Sequence, residues 1–511
     1  MWARREAELF DYSPDTLLNI CLHYVAVHKN TIMKTETWDL RYKLKDDVVI
    51  PAGICEKLLE TFQKYDRLTD CQANLFRDKF KTKLGSIKLW NARITDEALR
   101  WLMEHKPYRL DLVQCENLTP DCLDIINKNS ENLISLRLGS MPSILPKEEA
   151  ILRPIRNIIY GPKIRKFVLQ RKNLIVPTLL ILRPVSQLTH LDLSECSSGA
   201  GIWALNNIKQ LVSFVLHNVE WVLDIVDWIC TLTSLRHLDI SQVNESYGQF
   251  MLPNEVLRKI VTSLPNLESL DISGTNLAGS GAATVASVSQ TSSLLRCDIP
   301  GLVSRVNKPL KFLGLYGTSH GACKRHDIPA EVITGDANEE QIFNAAVVYL
   351  SRPNILTRVL NDLYYLFRYD INANITRALS VVLEAMHEHV SEKHIQISGS
   401  ATLFYIVKGK ETADIPIGIR RRIIRALLDG METHIDDDTM MRNGCLTLCQ
   451  FKIPNDVLFE YERVVLILLH GVADANQEGF VQRIAIYLLN SLACQVDGKQ
   501  KQYLGNLGAI S

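Results

Sequence analysis

The sequence predicts two consecutive solenoids, an α/β one followed by an all-α one, behind a short helical N-terminal region. The first is indicated by nine segments between Leu84 and Leu315 that match, fully or in part, the spacing Leu-x2-Leu-x-Leu. That spacing is the strand signature of a leucine-rich repeat. The second is indicated by three similar helical segments, which align on Gln396, Arg442 and Arg483 and recur 46 and 41 residues apart. That period fits HEAT or armadillo repeats, each built from two or three helices.

These patterns set the expected domain boundaries. We expect a helical region over residues 1–80, leucine-rich repeats over 81–320, a connector over 321–338 and an armadillo-like array over 339–511. The last array ends within what reads as the opening of another repeat, so we expect it to be incomplete.

Composition narrows the class of partner. Among 511 residues, Lys plus Arg equals Asp plus Glu at 57 each, so no overall field favours nucleic acid or an acidic membrane. The start of the chain is charged and lacks the apolar core of a signal peptide. The most apolar run, Val464 to Leu469, is too short to span a bilayer. Twelve cysteines lie without clustering, many at apolar positions, which favours reduced thiols in the cytoplasm or nucleus.

The first N-terminal helix is expected to begin at Ser13-Pro14-Asp15, a start signal with proline in the first turn. Leu17, Cys21 and Val25 then recur at i, i+4 and i+8, which places them along one stripe of the helix. Such a stripe is also what an ordinary core helix shows. Their order, Thr-Leu-x3-Cys-x3-Val, resembles the box by which ubiquitin-ligase substrate receptors bind elongin C, with Leu17 as the implied anchor.

A second motif follows 33 residues later. Ile50-Pro51 opens a predicted helix in which Ile54 and Leu58 share one face. The pattern Ile-Pro-x2-Ile-x3-Leu resembles the cullin box that selects cullin-two. The order and separation of the two boxes fit that resemblance, and internal packing remains the alternative for both.

The leucine-rich segments each place a short strand on the concave side of an arc. Asp96 to Met103 and Pro253 to Leu264 are expected to form convex helices. His190, Asp192, His237, Asp239 and Asp271 face out of the predicted sheet as a partial ladder, interrupted by Val215. Ladder hydrogen bonding is the simpler interpretation of this set; a polar partner surface is the alternative, and a metal site is disfavoured.

Motifs for chemistry are lacking in the sequence. His320, Cys323 and His326 have the residue types of zinc ligands, but no second cluster completes four ligands. The sequence has no G-x4-G-K-[ST] loop, H-E-x-x-H, G-x-S-x-G or kinase signature set. We therefore predict no catalytic residue, no metal and no cofactor, and a protein that binds other proteins.

In the helical array, each of the three segments carries a residue with little or no side chain near its alignment point, namely Gly399, Gly444 and Ala485. A residue with little or no side chain allows two backbones to approach closely, so we expect helices to cross there. Stacked repeats of this kind form a long groove, which suits extended peptides.

The ordered architecture resembles the Zyg-eleven/Zer-one family of cullin-RING ubiquitin-ligase substrate receptors. The likeness is carried by Lys308 to Leu315, Asn338 to Gln341, Arg442 to Cys449 and Gln482 to Ala485. The resemblance implies a receptor that binds elongin C (with elongin B) and cullin-two, and that recognises proteins with an exposed N-terminal glycine or another small residue for degradation. The receptor itself makes and breaks no bond.

One element of the family pattern is missing. The family holds the N-terminal amine in an armadillo groove built around a Trp-Asn pair, whereas the last tryptophan here is Trp228. The substrate-binding residues are therefore unknown, and the degron pocket is expected to lie in repeats that this chain lacks. The competing hypothesis is a scaffold that binds proteins through both arrays with no ligase attached.

Overall fold

The computed structural model describes residues 17–35, 42–65, 67–140, 159, 161–170, 187–196, 208–279, 297, 299–325, 327–369, 374–408, 415–474 and 477–507. The chain divides into two compact units. Of the described residues, those from Leu17 to Val332 belong to one unit and those from Ile333 to Leu507 belong to the other.

The first unit opens with helices and a hairpin. Its initial elements are α1 (Leu17–Val27), β1 (Met33–Thr35), β2 (Tyr42–Leu44), α2 (Ala52–Tyr65) and α3 (Asp70–Ala73). The β1–β2 hairpin is antiparallel, with Met33 opposite Leu44. Both of these side chains are buried. The hairpin departs from the predicted helical region, because strands of three residues are too short to show a period of two in the sequence.

The repeats form one sheet of ten strands in chain order, parallel from the first to the ninth. The strands are β3 (Ser86–Trp90), β4 (Arg109–Val113), β5 (Ser135–Gly139), β6 (Lys166–Gln170), β7 (His190–Asp192), β8 (Ser213–Val215), β9 (His237–Asp239), β10 (Ser269–Asp271), β11 (Leu310–Gly314) and β12 (Ala330–Thr334). All nine predicted leucine-rich segments contain a strand. The tenth, β12, lies in the predicted connector.

The register explains why the leucine spacing identified the strands. Ile87 pairs with Leu110, which pairs with Leu136, and all three are buried. After most strands one residue takes a left-handed conformation, and its backbone N–H donates to the next repeat; Asn91 N, for example, donates to Val113 O at 2.9 Å. Gly274 is the tightest of these positions, since a Cβ there would lie 1.8 Å from Gln242 O.

Helices cover the other side of the sheet. They are α4 (Asp96–Met103), α5 (Cys122–Lys128), α6 (Val226–Ile229) and α7 (Pro253–Ser263). Helix α4 has the predicted bounds, and α7 ends one residue before the predicted boundary. Their buried side chains, such as Leu99 and Leu257, fill the space behind the strand leucines.

Helix α2 covers the open edge of the sheet at β3. Glu56 Oε1 accepts hydrogen bonds from the backbone N–H groups of Gly85 and Ser86, at 3.0 and 2.9 Å. Gln63 Nε2 donates to Lys88 O, and Gln63 Oε1 accepts from the N–H of Trp90, both at 2.9 Å. An unpaired strand edge invites association with other strands, so this cover satisfies and shields it.

The second unit is helical. Its helices are α8 (Glu339–Val348), α9 (Pro353–Tyr369), α10 (Ile375–Glu388), α11 (Lys393–Val407), α12 (Ile417–Thr433), α13 (Asp438–Leu448), α14 (Tyr461–Ala473), α15 (Gly479–Gln495) and α16 (Gly498–Asn506). Asn338, Asn374 and Asp437 cap the N-termini of α8, α10 and α13, each side chain accepting a backbone N–H three residues on. These caps satisfy donors that the helix leaves unpaired.

The helices stack as pairs in two layers. Helices α9, α11, α13 and α15 follow one another in one layer, and α8, α10, α12 and α14 in the other. The predicted close approaches are present within pairs: a Cβ on Gly399 would lie 2.6 Å from Met386 Cγ, and one on Gly444 would lie 2.3 Å from Met431 Sδ. Within the described residues, no helix has both the length and the apolar character that crossing a bilayer requires.

Candidate protein-binding surfaces

The outward face of α1 is apolar. The side chain of Leu17 is 76% exposed and that of Tyr24 is 55% exposed, whereas Leu22 and Ala26 are buried. Successive residues of a helix are rotated by about 100°. Leu17 and Tyr24 therefore lie on one side of α1, and Ala26 lies on the opposite side.

Two of the predicted elongin-binding residues lie on that outward face. Leu17 and Cys21 are exposed, and Val25 is half-buried at its margin. Three more exposed apolar side chains complete what we call the α1 stripe; it consists of Leu17, Ile20, Cys21, Tyr24 and Val27. The i+4 spacing alone does not include Ile20, Tyr24 and Val27, whereas the full 3.6-residue helical period does.

A stripe of this kind is a candidate interaction surface. Single exposed apolar residues are common on soluble proteins, but contiguous ones indicate an interaction surface. The stripe follows the length of an eleven-residue helix whose other side packs against α2. The arrangement can accommodate a groove or helix of another protein.

The predicted cullin-binding residues are divided between surface and core. Ile50 is 7% exposed and Leu58 is 1% exposed, whereas Ile54 is half-buried and Pro51 is exposed. Leu58 belongs to the buried face of α2, together with Cys55, Leu59 and Phe62. Of the four residues, Pro51 and Ile54 can touch another protein, while Ile50 and Leu58 hold the helix in place.

Two exposed apolar residues lie beside that motif. The backbone N–H of Ile50 donates to Lys81 O at 2.8 Å, so the segment around Val49 and Pro51 runs alongside the segment that contains Phe80. Phe80 is 95% exposed and Val49 is also exposed. Neither residue is predicted from the sequence, because neither belongs to a helical period.

The concave carboxylates are engaged in local turns. Asp192 Oδ1 accepts from Ser194 N at 2.9 Å, and Asp239 Oδ1 accepts from Ser241 N at 2.9 Å. Asp271 repeats the pattern with Ser273 N at 3.0 Å. These three hydrogen bonds lie within single repeats, and Asp192 Oδ2 also accepts from Gln170 Nε2 of the preceding repeat at 3.3 Å, which is a bond along the ladder.

The rest of that ladder offers exposed histidines. His190 and His237 are exposed, and Val215 lies in register between Asp192 and Asp239. Burial lowers the pKa of His190, with a further contribution from the charge of Lys166. These side chains provide a polar surface on the concave side of the first unit.

Metal-ligand geometry occurs elsewhere. Among the described residues, Asp436, His470 and Asp474 bring one ligand atom each within 4.8 Å of one another. Asp436 and His470 are exposed. Of the His320–Cys323–His326 motif, Cys323 is buried, and His326 lies outside the described residues.

Two family models match parts of this chain. A family model described as Zer-1-like leucine-rich repeats matches residues 179–318. A second, described as the C-terminal domain of protein zer-1 homolog-like proteins, matches residues 384–511.

Three curated relatives show how far the similarity extends. A protein zer-1 homolog of Drosophila melanogaster is 44% identical over 516 residues, covering 98% of this chain and 65% of the relative. The zyg eleven-related protein 1 of Caenorhabditis elegans is 42% identical over 334 residues, covering 65% of this chain and 37% of the relative. A protein zer-1 homolog of Homo sapiens is 31% identical over 526 residues, covering 98% and 68%. The chain thus spans about two thirds of the length of the Drosophila and human relatives.

Proposed function

The chain belongs to the Zer-1 family of leucine-rich repeat proteins, and from this premise we propose that it is a substrate receptor subunit of a cullin-two ubiquitin ligase. In this proposal the α1 stripe binds elongin C, which is bound to elongin B. The surface around α2 contacts cullin-two. The helical unit is an armadillo-like array, and the target proteins are those with an exposed N-terminal glycine or another small residue.

The observation that carries the proposal is the exposure of the α1 stripe. Leu17 is the most exposed of its large apolar residues, with about three quarters of its surface open to solvent. Fully burying a leucine contributes about 1.5–3 kcal/mol. A partner pocket that covers Leu17 would therefore gain about 1–2 kcal/mol from the area that is now exposed.

For the cullin contact, the exposure of the side chains favours a different set of residues than the motif suggests. Pro51 and Ile54 are available, and Val49 and Phe80 extend the apolar surface beside them. We assign the contact to these four residues and give Ile50 and Leu58 a supporting role.

The receptor works by holding two proteins near each other. It makes and breaks no bond, and it requires no cofactor. No described residue is assigned to the N-terminal glycine of a target. The compartment expected for such a ligase is the cytoplasm or the nucleus.

The experiment is a binding titration of the full chain with purified elongin B/C. Leu17→Ser is expected to weaken binding about 5- to 30-fold, the equivalent of about 1–2 kcal/mol, without lowering the thermal unfolding midpoint. Leu466→Ser is the matched control, because Leu466 is an exposed leucine on α14 in the other unit. If the wild-type chain binds elongin B/C and the Leu17 variant binds it with the same affinity, then elongin C does not bind at the α1 stripe.

One observation favours the alternative, a scaffold without a ligase. Ile50 and Leu58 of the cullin-type motif are buried, as internal packing would require. The scaffold predicts that the wild-type chain binds neither elongin B/C nor cullin-two in the same titration.

A further inference from the structure

The second unit carries a groove between three neighbouring helices of one layer. Helices α9, α11 and α13 form its walls, and its volume is about 350 Å³. The side chains that line it include Asn361, Tyr364, Ala401, Tyr405, Asn443 and Leu446.

Aromatic rings form one end of the groove. The rings of Tyr364 and Tyr405 meet edge to face, with centroids 5.3 Å apart. Tyr365 packs against Tyr364 at 5.2 Å, and Tyr369 stacks on Tyr365 at 6.4 Å with an interplanar angle of 3°. Phe404 adds a fifth ring, 5.3 Å from Tyr405. Tyr365 and Tyr369 are exposed, so this cluster is a surface feature rather than a core.

Two cations lie on these rings. The Arg368 guanidinium is 5.8 Å from the Tyr364 centroid, and it donates a hydrogen bond to the Tyr364 hydroxyl oxygen at 2.9 Å. The Lys408 ammonium is 5.6 Å from the Tyr405 centroid. Both cations are exposed. Within the described part of the chain, neither has a carboxylate at ion-pair distance.

This arrangement prepares the cations for an acidic partner. Ring contacts hold a guanidinium or ammonium in position without neutralising its charge. A positioned cation loses less conformational freedom on pairing than a freely rotating one. Arg368 and Lys408 flank the same pair of tyrosines, so they can engage one acidic segment together.

Side-chain amides line the rest of the groove. Asn443 Nδ2 donates to Ile397 O at 3.3 Å, and Ser398 Oγ donates to Asn361 Oδ1 at 2.8 Å. Among the described residues, Asn361 Nδ2 has no acceptor at hydrogen-bond distance, and Asn361 is exposed. Amides on successive helices can pair with the backbone of an extended peptide.

We propose that this groove binds an extended peptide segment that carries acidic side chains. Its carboxylates pair with Arg368 and Lys408, and its backbone hydrogen-bonds to Asn361. This site is separate from the ligase-docking surfaces of the first unit, and it serves a ligase receptor or a scaffold equally.

The test is fluorescence anisotropy of the full chain with a fluorescein-labelled dodecapeptide of repeated Glu-Ser-Val triplets. A matched peptide with Gln in place of every Glu is expected to bind about tenfold more weakly or not at all, since it cannot form the ion pairs. Arg368→Gln and Lys408→Gln are each expected to weaken binding of the acidic peptide about fivefold. Neither substitution removes a buried group, so the unfolding midpoint should stay unchanged.

The control variant is Arg421→Gln. Arg421 is likewise exposed and lies 5.3 Å from the ring centroid of Phe459, but it belongs to α12 in the other layer. It should bind the acidic peptide like the wild-type chain. Equal loss in the Arg421 variant, equal binding of the Gln peptide or no binding of the acidic peptide would each overturn the proposal.

Discussion

The substitution Leu58→Ala tests whether Leu58 stabilises the packing of α2 or contacts cullin-two. Leu58 is 1% exposed and faces the same core as Cys55, Leu59 and Phe62. Replacing a buried leucine by alanine removes apolar contacts and leaves a cavity, which costs about 2–5 kcal/mol. Because α2 also covers the edge of β3, the loss should extend to the first repeats. We expect the free energy of unfolding of the first unit to fall by that amount.

The assay combines stability with binding. Urea unfolding followed by circular dichroism gives the change in free energy, and a cullin-two pull-down is made where both variants are folded. Ile54→Ala is the paired variant, because Ile54 lies one helical turn before Leu58 on α2 and is half-buried. Ile54→Ala should lower the free energy of unfolding less than Leu58→Ala does, and it should reduce cullin-two binding more.

A loss of cullin-two binding without a loss of stability in Leu58→Ala would refute the assignment of Leu58 to the core. If Leu58→Ala left the urea midpoint unchanged while abolishing cullin binding, Leu58 would be a contact residue and α2 would have to expose the face that the structure buries. A parallel loss of stability and binding in both variants would instead mean that Ile54 is also internal.

Further predictions concern packing and thiols. Gly444→Ala should lower the free energy of unfolding by about 1–3 kcal/mol, because its Cβ would lie 2.3 Å from Met431 Sδ; thermal unfolding measures this. Gly53→Ala should raise stability by up to about 1 kcal/mol, since no atom lies within 4 Å of the added Cβ in α2, and a lower midpoint would contradict that reading. The exposed thiol of Cys21 should react with a disulfide reagent at pH 8 in the native chain, whereas Cys445, whose pKa is raised by burial to about 12, should react only in denaturant. Equal native rates for the two thiols would show that the helical unit opens readily.

The repeat strands were predictable because one physical requirement acts on each of them. In a solenoid every repeat buries the same positions against its neighbours, so Leu110 and Leu136 recur in register and leave a spacing in the sequence. The strand β12 lacks that spacing, and its residues fall in the predicted connector. The place of β12 in the sheet depends on its pairing with β11. A local sequence pattern does not record that pairing.

The candidate docking residues show that a sequence motif does not reveal which side of a helix is exposed. Ile54 and Leu58 are one turn apart on α2, and four residues rotate a helix by about 400°, which leaves a net shift of about 40°. That shift is enough to place Leu58 inside and Ile54 at the margin. A motif records spacing along the chain but not the direction in which the stripe points. On α1, by contrast, the motif residue Leu17 is exposed, and the buried side of the helix carries Leu22.

The position of α2 also links docking to the repeat surface. Glu56, Glu60 and Gln63 lie on one side of α2 and bond to β3, with Lys88 Nζ at 2.9 Å from Glu60 Oε1. Helix α1 packs in turn on α2. A protein bound to the α1 stripe is therefore attached to the first layer of the solenoid rather than to a linker. Since repeats contact their neighbours in sequence, a ligand on the concave side of β7 to β10 would be held at a defined distance from that protein.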